Sequence, residues 1–195
     1  VISGFAGTGK GTIVKQLVQR YGYKLSISCT TRAPREGEVD GREYHFKTKE
    51  EFENLIDYNG FIEYARYVEN YYGTPRAFVE QEMAKGSNVL LEIEVQGAQN
   101  IKRQYPDAVL LFVSPPSAKI LKERLVNRGT ETMDVIDKRM HRASEEADSM
   151  KQYDYIVVND DLETCIEEVH GIILSESKKT CHNGEFIDNM KEQLS

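Results

Sequence analysis

Eighteen apolar residues never run together in this 195-residue chain, so no membrane-spanning helix is expected. Cysteine is scarce: Cys29, Cys165 and Cys181 are odd in number and widely spaced. That excludes a disulfide framework or a cysteine metal site and suits a reducing compartment, the cytoplasm. The four histidines, His45, His141, His170 and His182, show no ligand spacing. Excess positive charge is missing too. A net charge of −7 argues against the broad basic face that a nucleic acid polymer requires. No initiator methionine precedes Val1 and no signal-peptide pattern is visible in the residues present. The length suits one domain with room for a subdomain, as a monomer or small homo-oligomer.

What is there begins with Gly4-Phe5-Ala6-Gly7-Thr8-Gly9-Lys10-Gly11-Thr12, between the apolar Val1-Ile2-Ser3 and the amphipathic Ile13–Val18. Strand, glycine loop and helix form the setting of a phosphate-binding P-loop. Its backbone N–H groups curl into an anion nest, the helix N-terminus adds positive potential, and Lys10 reaches the terminal phosphates. Gly4, Ala6, Gly7, Thr8, Gly9, Lys10, Gly11 and Thr12 are therefore the candidate ATP contacts. Gly11 stands where many P-loops place a metal-binding hydroxyl. Mg²⁺ is thus expected mainly through phosphates and water, with Thr12 a candidate protein oxygen.

Along the chain, Lys24–Cys29, Glu43–Phe46, Phe61–Val68, Asn88–Glu94, Ala108–Val113 and Asp154–Val158 read as strands. The nearly continuous apolar runs among them predict a parallel sheet with helices on both faces. Thr48 and Glu51 form a capping-box pattern that opens a helix closed by Asn59-Gly60. Tyr71–Thr74 reads as a turn, Pro75 as a helix start, and helices are expected over 96–104, 117–128 and from about Asp161. The fold class is α/β, of the P-loop NTPase type. The core spans 1–29 and 81–178, with an inserted mixed β lobe at about 30–80 and a helical lid at about 125–145. From Lys179 to Ser195 the chain reads as a polar, aperiodic and flexible tail.

Two arginines, Arg32 and Arg35, flank Ala33-Pro34, a stiff link that holds two guanidinium forks near each other. Such a pair can take a phosphate monoester, but Glu36, Glu38 and Asp40 are close enough to be its partners instead. Spacing alone leaves both readings open. Farther along, Lys119 to Arg142 holds seven Lys/Arg against four acids, a net-positive window in an acidic chain. That suits a small anionic ligand or an ordinary solvated helix face.

The run Ser26-Ile27-Ser28-Cys29-Thr30-Thr31-Arg32-Ala33-Pro34-Arg35-Glu36-Gly37-Glu38-Val39-Asp40-Gly41-Arg42-Glu43-Tyr44 resembles the GMP-binding segment of guanylate kinases. So do Phe61–Tyr64, Asn70–Thr74, Leu91–Gly97, Pro115–Ser117, Arg128–Thr132 and Val158–Asp161, in family order across about residues 1–175. The resemblance implies ATP and GMP as substrates, dGMP as a further acceptor, and ADP and GDP as products.

It also implies residue roles. Arg32, Arg35, Tyr44 and Tyr72 hold the GMP phosphate, with Glu38 nearby. Glu63 takes the N1–H and N2–H₂ of guanine, an acceptor-only carboxylate matching two donors that adenine lacks. By pattern alone Glu63 would read as a solvent-facing strand residue. Ser28 and Thr74 bond the other guanine edge, and Glu92 faces the GMP site and the metal. Many relatives have aspartate at Glu92 and Glu94, and Pro-Ser in place of Phe5-Ala6.

Arg124, Arg128 and Arg139, with Lys10 and Arg32, carry the catalytic charge; Arg142 lies in the same window. Arg124, Arg128, Asn159 and Asp160 complete the ATP side. A non-catalytic guanylate kinase-like protein-binding domain is the alternative, as is a sugar-phosphate kinase. The first usually has a damaged P-loop; the second has no use for Glu63 beside Tyr44, Tyr72 and Thr74.

Overall fold

The apolar start forms strand β1 (Ile2–Gly4), and the glycine loop feeds helix α1 (Lys10–Tyr21). The computed structural model describes residues 1–67, 69–127 and 132–195. The next elements are β2 (Lys24–Leu25), β3 (Cys29–Thr30), β4 (His45–Phe46), α2 (Lys49–Asp57), β5 (Phe61–Tyr67) and β6 (Asn70–Pro75). They are followed by α3 (Arg76–Ala84), β7 (Val89–Leu90), α4 (Val95–Gln104), β8 (Leu111–Ser114) and α5 (Ala118–Asn127). The chain ends with α6 (Met133–Ala147), β9 (Tyr155–Val158), α7 (Leu162–Ser177) and α8 (Gly184–Leu194).

Strands β1, β8 and β9 pair in parallel, as do β2 and β7. A parallel bridge between Ile2 and Glu92, with Ile2 N–H on the Leu91 carbonyl at 2.8 Å, joins the two groups. The order across the sheet is thus β2-β7-β1-β8-β9. Alternation along β8 divides the core. Leu111 and Val113 pack with Ile13, Leu17 and Ile166 from α1 and α7, while Phe112 packs with Leu121, Leu125 and Ile136 from α5 and α6. Both faces are covered, as the apolar runs predict.

The inserted lobe is a four-stranded mixed sheet, β4-β3-β6-β5. Its small core stacks Phe52 of α2 on Phe61 of β5, with ring centroids 4.4 Å apart. The Thr48–Glu51 capping box is formed in both directions. Phe52 is fully buried, a gain of about 1.5–3 kcal/mol that anchors α2 to the sheet.

Three expectations need correction. The strand expected over Lys24–Cys29 is two: β2 belongs to the parallel sheet and β3 to the lobe, and the chain changes sheets between them. Its alternation is real, but the faces belong to different layers. Tyr71–Thr74 is not a turn but the middle of β6, hydrogen-bonded to β3 on one side and β5 on the other. Two-sided pairing outweighs the turn signal of one glycine. The tail after Lys179 is not aperiodic. A 3₁₀ turn at Thr180–His182 and helix α8 occupy it, and Phe186, Ile187, Met190 and Leu194 sit at helical spacing among its charges. Among the described residues no helix is long and apolar enough to cross a membrane.

Candidate active site

At the end of β1 the P-loop is tied down from several directions. Lys10 Nζ donates to the Gly4 carbonyl at 2.7 Å and the Phe5 carbonyl at 3.0 Å, and Thr8 Oγ1 donates to Phe5 at 3.0 Å. Phe5, one of the departures from the family pattern, is buried and meets Phe112 edge-on at 4.9 Å. Core packing thus stiffens the loop at this position. Gly9 has φ +88°, and a Cβ there would stand 2.8 Å from Asn159 Nδ2. That close approach lets Asn159 donate to the Thr8 carbonyl at 2.7 Å, joining the loop to the chain beyond β9.

Two clefts meet this loop. One, with about 500 Å³ of empty space, is lined by Gly7, Thr8, Gly9, Thr12, Arg124, Asn159 and Asp160. The structure therefore brings these donor-side candidates together. Gly4, Ala6 and Gly11 complete the loop itself, and the Glu92 carboxylate oxygens lie 3.7 Å from where a Gly11 Cβ would be. Arg128 lies outside the described residues. Arg139 is half-buried on α6 and is already engaged.

The other cleft, with about 630 Å³ of empty space open to solvent, is lined by Lys10, Ser28, Tyr44, Glu63, Tyr72 and Glu92. Each comes from a different piece of local structure. Ser28 sits in the crossing from β2 to β3, and Tyr44 comes just before β4, where burial pushes its phenol up to about 12 and keeps it a proton donor. Glu63 and Tyr72 come from β5 and β6. In that antiparallel pair Glu63 stands opposite Thr74, whose Oγ1 donates to Glu63 Oε1 at 2.7 Å. Thr74 is thus behind the carboxylate rather than in the opening.

Glu63 is 5 % exposed, and burial raises its pKa against the pull of the Thr74 hydrogen bonds. Burial also raises Glu92; Lys10 opposes that shift and Glu94 adds to it. The Cys29 thiol is pushed up to about 11 by burial, which leaves it unreactive.

The arginine segment stands beside this cleft. The Arg32 guanidinium lies 5.3 Å from the centroid of the Tyr44 ring and donates through Nη2 to Glu38 Oε1 at 2.9 Å. Glu38 Oε2 accepts from the Arg35 backbone at 2.7 Å, and both arginines help lower its pKa. Of the two readings left open by spacing, the structure shows the carboxylate partner. Glu38 engages the arginines, not the cleft interior.

Sequence reasoning passed over Gly97, Arg66, Gln96 and Ile93, which line the same cleft. Gly97 is the informative one. A Cβ there would meet Glu63 Oε2 at 2.7 Å, so the first turn of α4 approaches the carboxylate only because the side chain is missing. No spacing rule signals this; the pairing exists only once α4 packs on β5. Gly97→Ala is expected to displace Glu63 and weaken GMP binding by about tenfold, the scale of one charged hydrogen bond. Thermal stability should change little, because the helix preference of alanine over glycine, about 1 kcal/mol, is offset by disturbing the buried Glu63–Thr74 hydrogen bond. Calorimetric titration beside a melting curve checks both. Unchanged GMP affinity would contradict the contact.

The guanylate kinase family model matches residues 1–176. Guanylate kinase of Clostridioides difficile (strain 630) is 48 % identical over 196 aligned positions, covering 100 % of this chain and 96 % of that protein. Guanylate kinase of Bacillus anthracis is 46 % identical, with the same coverage of 100 % and 96 %. The crystal structure of guanylate kinase from Anaplasma phagocytophilum superposes with a TM-score of 0.79 at 32 % identity, covering 93 % of this chain and 88 % of that one. With the P-loop, the buried carboxylate and the inserted lobe all in one frame, the chain belongs to the guanylate kinase family.

Proposed function

We propose that this enzyme transfers the terminal phosphoryl group of ATP to GMP, giving ADP and GDP, and accepts dGMP at the same site. The observation that carries the acceptor's identity is Glu63, a buried carboxylate lining the same cleft as Lys10. An acceptor-only group in that position suits the N1–H and N2–H₂ of guanine, with Ser28 at the opposite edge. The acceptor phosphate then lies toward Tyr44, Tyr72 and the arginine segment. Two phenols and the Arg32 and Arg35 forks supply the donors for a dianion. The intact Lys10 and donor cleft disfavour a non-catalytic scaffold.

ATP occupies the P-loop, with its phosphates on the backbone N–H groups of residues 7–12 and Asn159 and Asp160 on the adenine side. Arg124, Arg128 and Arg139 add positive charge where the transferring oxygens gather it. Positioning and charge neutralisation carry most of the catalysis in phosphoryl transfer, so no covalent intermediate is required. The residues also fit Mg²⁺. Glu92 is a half-buried carboxylate beside the loop with its pKa raised by desolvation, a hard oxygen donor that a cation would stabilise. Thr12 offers a hydroxyl on the loop's far side. The ion would neutralise phosphate charge; the chain's own residues hold the nucleotides. We place the reaction in the cytoplasm, in guanine nucleotide metabolism.

A coupled assay for ADP release, run with GMP, dGMP, AMP and no acceptor, tests the reading. ADP release independent of any guanine nucleotide would defeat it. Arg32→Ala and Arg35→Ala should each weaken GMP by about 10- to 100-fold and leave ATP near normal. Titration that found ATP affinity falling instead would move both arginines to the donor side.

A further inference from the structure

We propose that Arg142 of α6 is a phosphate-contacting residue of the acceptor site, additional to Arg32 and Arg35, and that Glu146 positions it. The inference rests on the cleft being the GMP site. The rotation of α6 is fixed by Ile136, Met140 and Ala143, which pack with Phe5, Phe112 and Leu125. With that stripe inward, Arg142 and Glu146, four residues apart, stack on the flank beside the cleft. Arg142 lines it with Lys10, Tyr44, Tyr72 and Glu92.

The pair is asymmetric in burial. The Arg142 side chain is 40 % exposed and Glu146 only 15 %, and Arg142 Nε donates to Glu146 Oε1 at 2.9 Å. An acid held this deep has its pKa raised, chiefly by desolvation, with Glu94 acting the same way; Arg142 and Lys10 pull it back. Glu146 is thus supported by the P-loop lysine and by the arginine it anchors. It grips the guanidinium at Nε, nearest the stem.

Charge makes the case for phosphate. The lining of the cleft sets Lys10, Arg66 and Arg142 against Glu63, Glu92 and Glu94. A dianion entering this balanced site needs donors on more than one wall. Tyr44 and Tyr72 stand on the lobe. Arg142 stands on α6, among the core elements that pack around the P-loop. A phosphate between them would be held from both sides, and such positioning is what transfer requires.

The test compares wild type with R142Q, R142K, E146Q and R142Q/E146Q, using titration with GMP and with guanosine, then steady-state kinetics. R142Q is expected to weaken GMP by about 10- to 100-fold while guanosine binding and the KM for ATP stay within about twofold. R142K should recover part of the loss, since a point charge remains without the Nε donor. E146Q should give a smaller loss in the same direction, and the double variant should bind no worse than R142Q, because both act through one contact. GMP binding by R142Q within twofold of wild type overturns the proposal. So does an equal loss for guanosine, which marks a packing role, or a loss confined to ATP. A wild type that does not phosphorylate GMP defeats the acceptor reading itself, and this inference with it.

Discussion

Glu63→Gln should collapse GMP phosphorylation while ATP binding stays close to normal. The substitution keeps the size of the side chain, removes its charge and turns one acceptor into a donor that faces the guanine donors. It also disturbs the oxygen that receives the Thr74 hydroxyl at 2.7 Å. A site built around a buried polar partner rejects an analogue lacking that partner by roughly 10⁴–10⁵. Wild type should therefore prefer GMP to AMP by several orders of magnitude in kcat/KM, and the variant should lose most of that margin. Unchanged discrimination would mean that the base is read elsewhere. The pH dependence has a definite sign. Only ionised Glu63 accepts both guanine donors, and burial raises its pKa above 4.5. GMP affinity should thus fall on acidification at a higher pH than for an ordinary glutamate, and bound guanine should pull the pKa back down.

Lys10→Ala should cut turnover by roughly 10²–10³ in a protein that still folds, the usual cost of losing one stabiliser of transition-state charge. The ammonium is held by the Gly4 and Phe5 carbonyls. Losing those bonds leaves two acceptors at the edge of a cleft, a small penalty beside the packing of Phe5 on Phe112. A melting curve and a single-turnover measurement separate the two effects. Near-normal turnover in a folded Lys10→Ala variant would remove the P-loop from the mechanism.

Much of this was legible in the chain because it is local. The P-loop residues are consecutive, the capping box at Thr48 and Glu51 spans four consecutive residues, and the apolar runs of β8 and β9 announce burial on both faces. What failed to show depends on contacts between distant segments. The crossing at Ser28 hides in a continuous alternation because both its sheets have the same period of two. Gly97 becomes part of the site only through a carboxylate 34 positions earlier, as their numbers in the chain show. Glu63 reads as a surface strand residue until β6 and α4 close over it; resemblance, not spacing, pointed to it. The helix at 184–194 was obscured by charge, although its apolar residues keep the period.

The Arg32–Glu38 pair has a consequence for how the site fills. On the proposed acceptor reading, a phosphate would not meet a bare guanidinium; it would have to evict a carboxylate that holds the fork at 2.9 Å and the Arg35 backbone at 2.7 Å. Occupancy is therefore a competition with a tethered rival whose effective concentration does not dilute. The apparent dissociation constant is the intrinsic one divided by the fraction of molecules with the fork released. Weak oxyanions would then be expected to lose that contest, while a nucleotide anchored at its base by Glu63 would have a second foothold. With the arginines as the phosphate holders we propose, Glu38 would set a threshold, tuning which anions they notice.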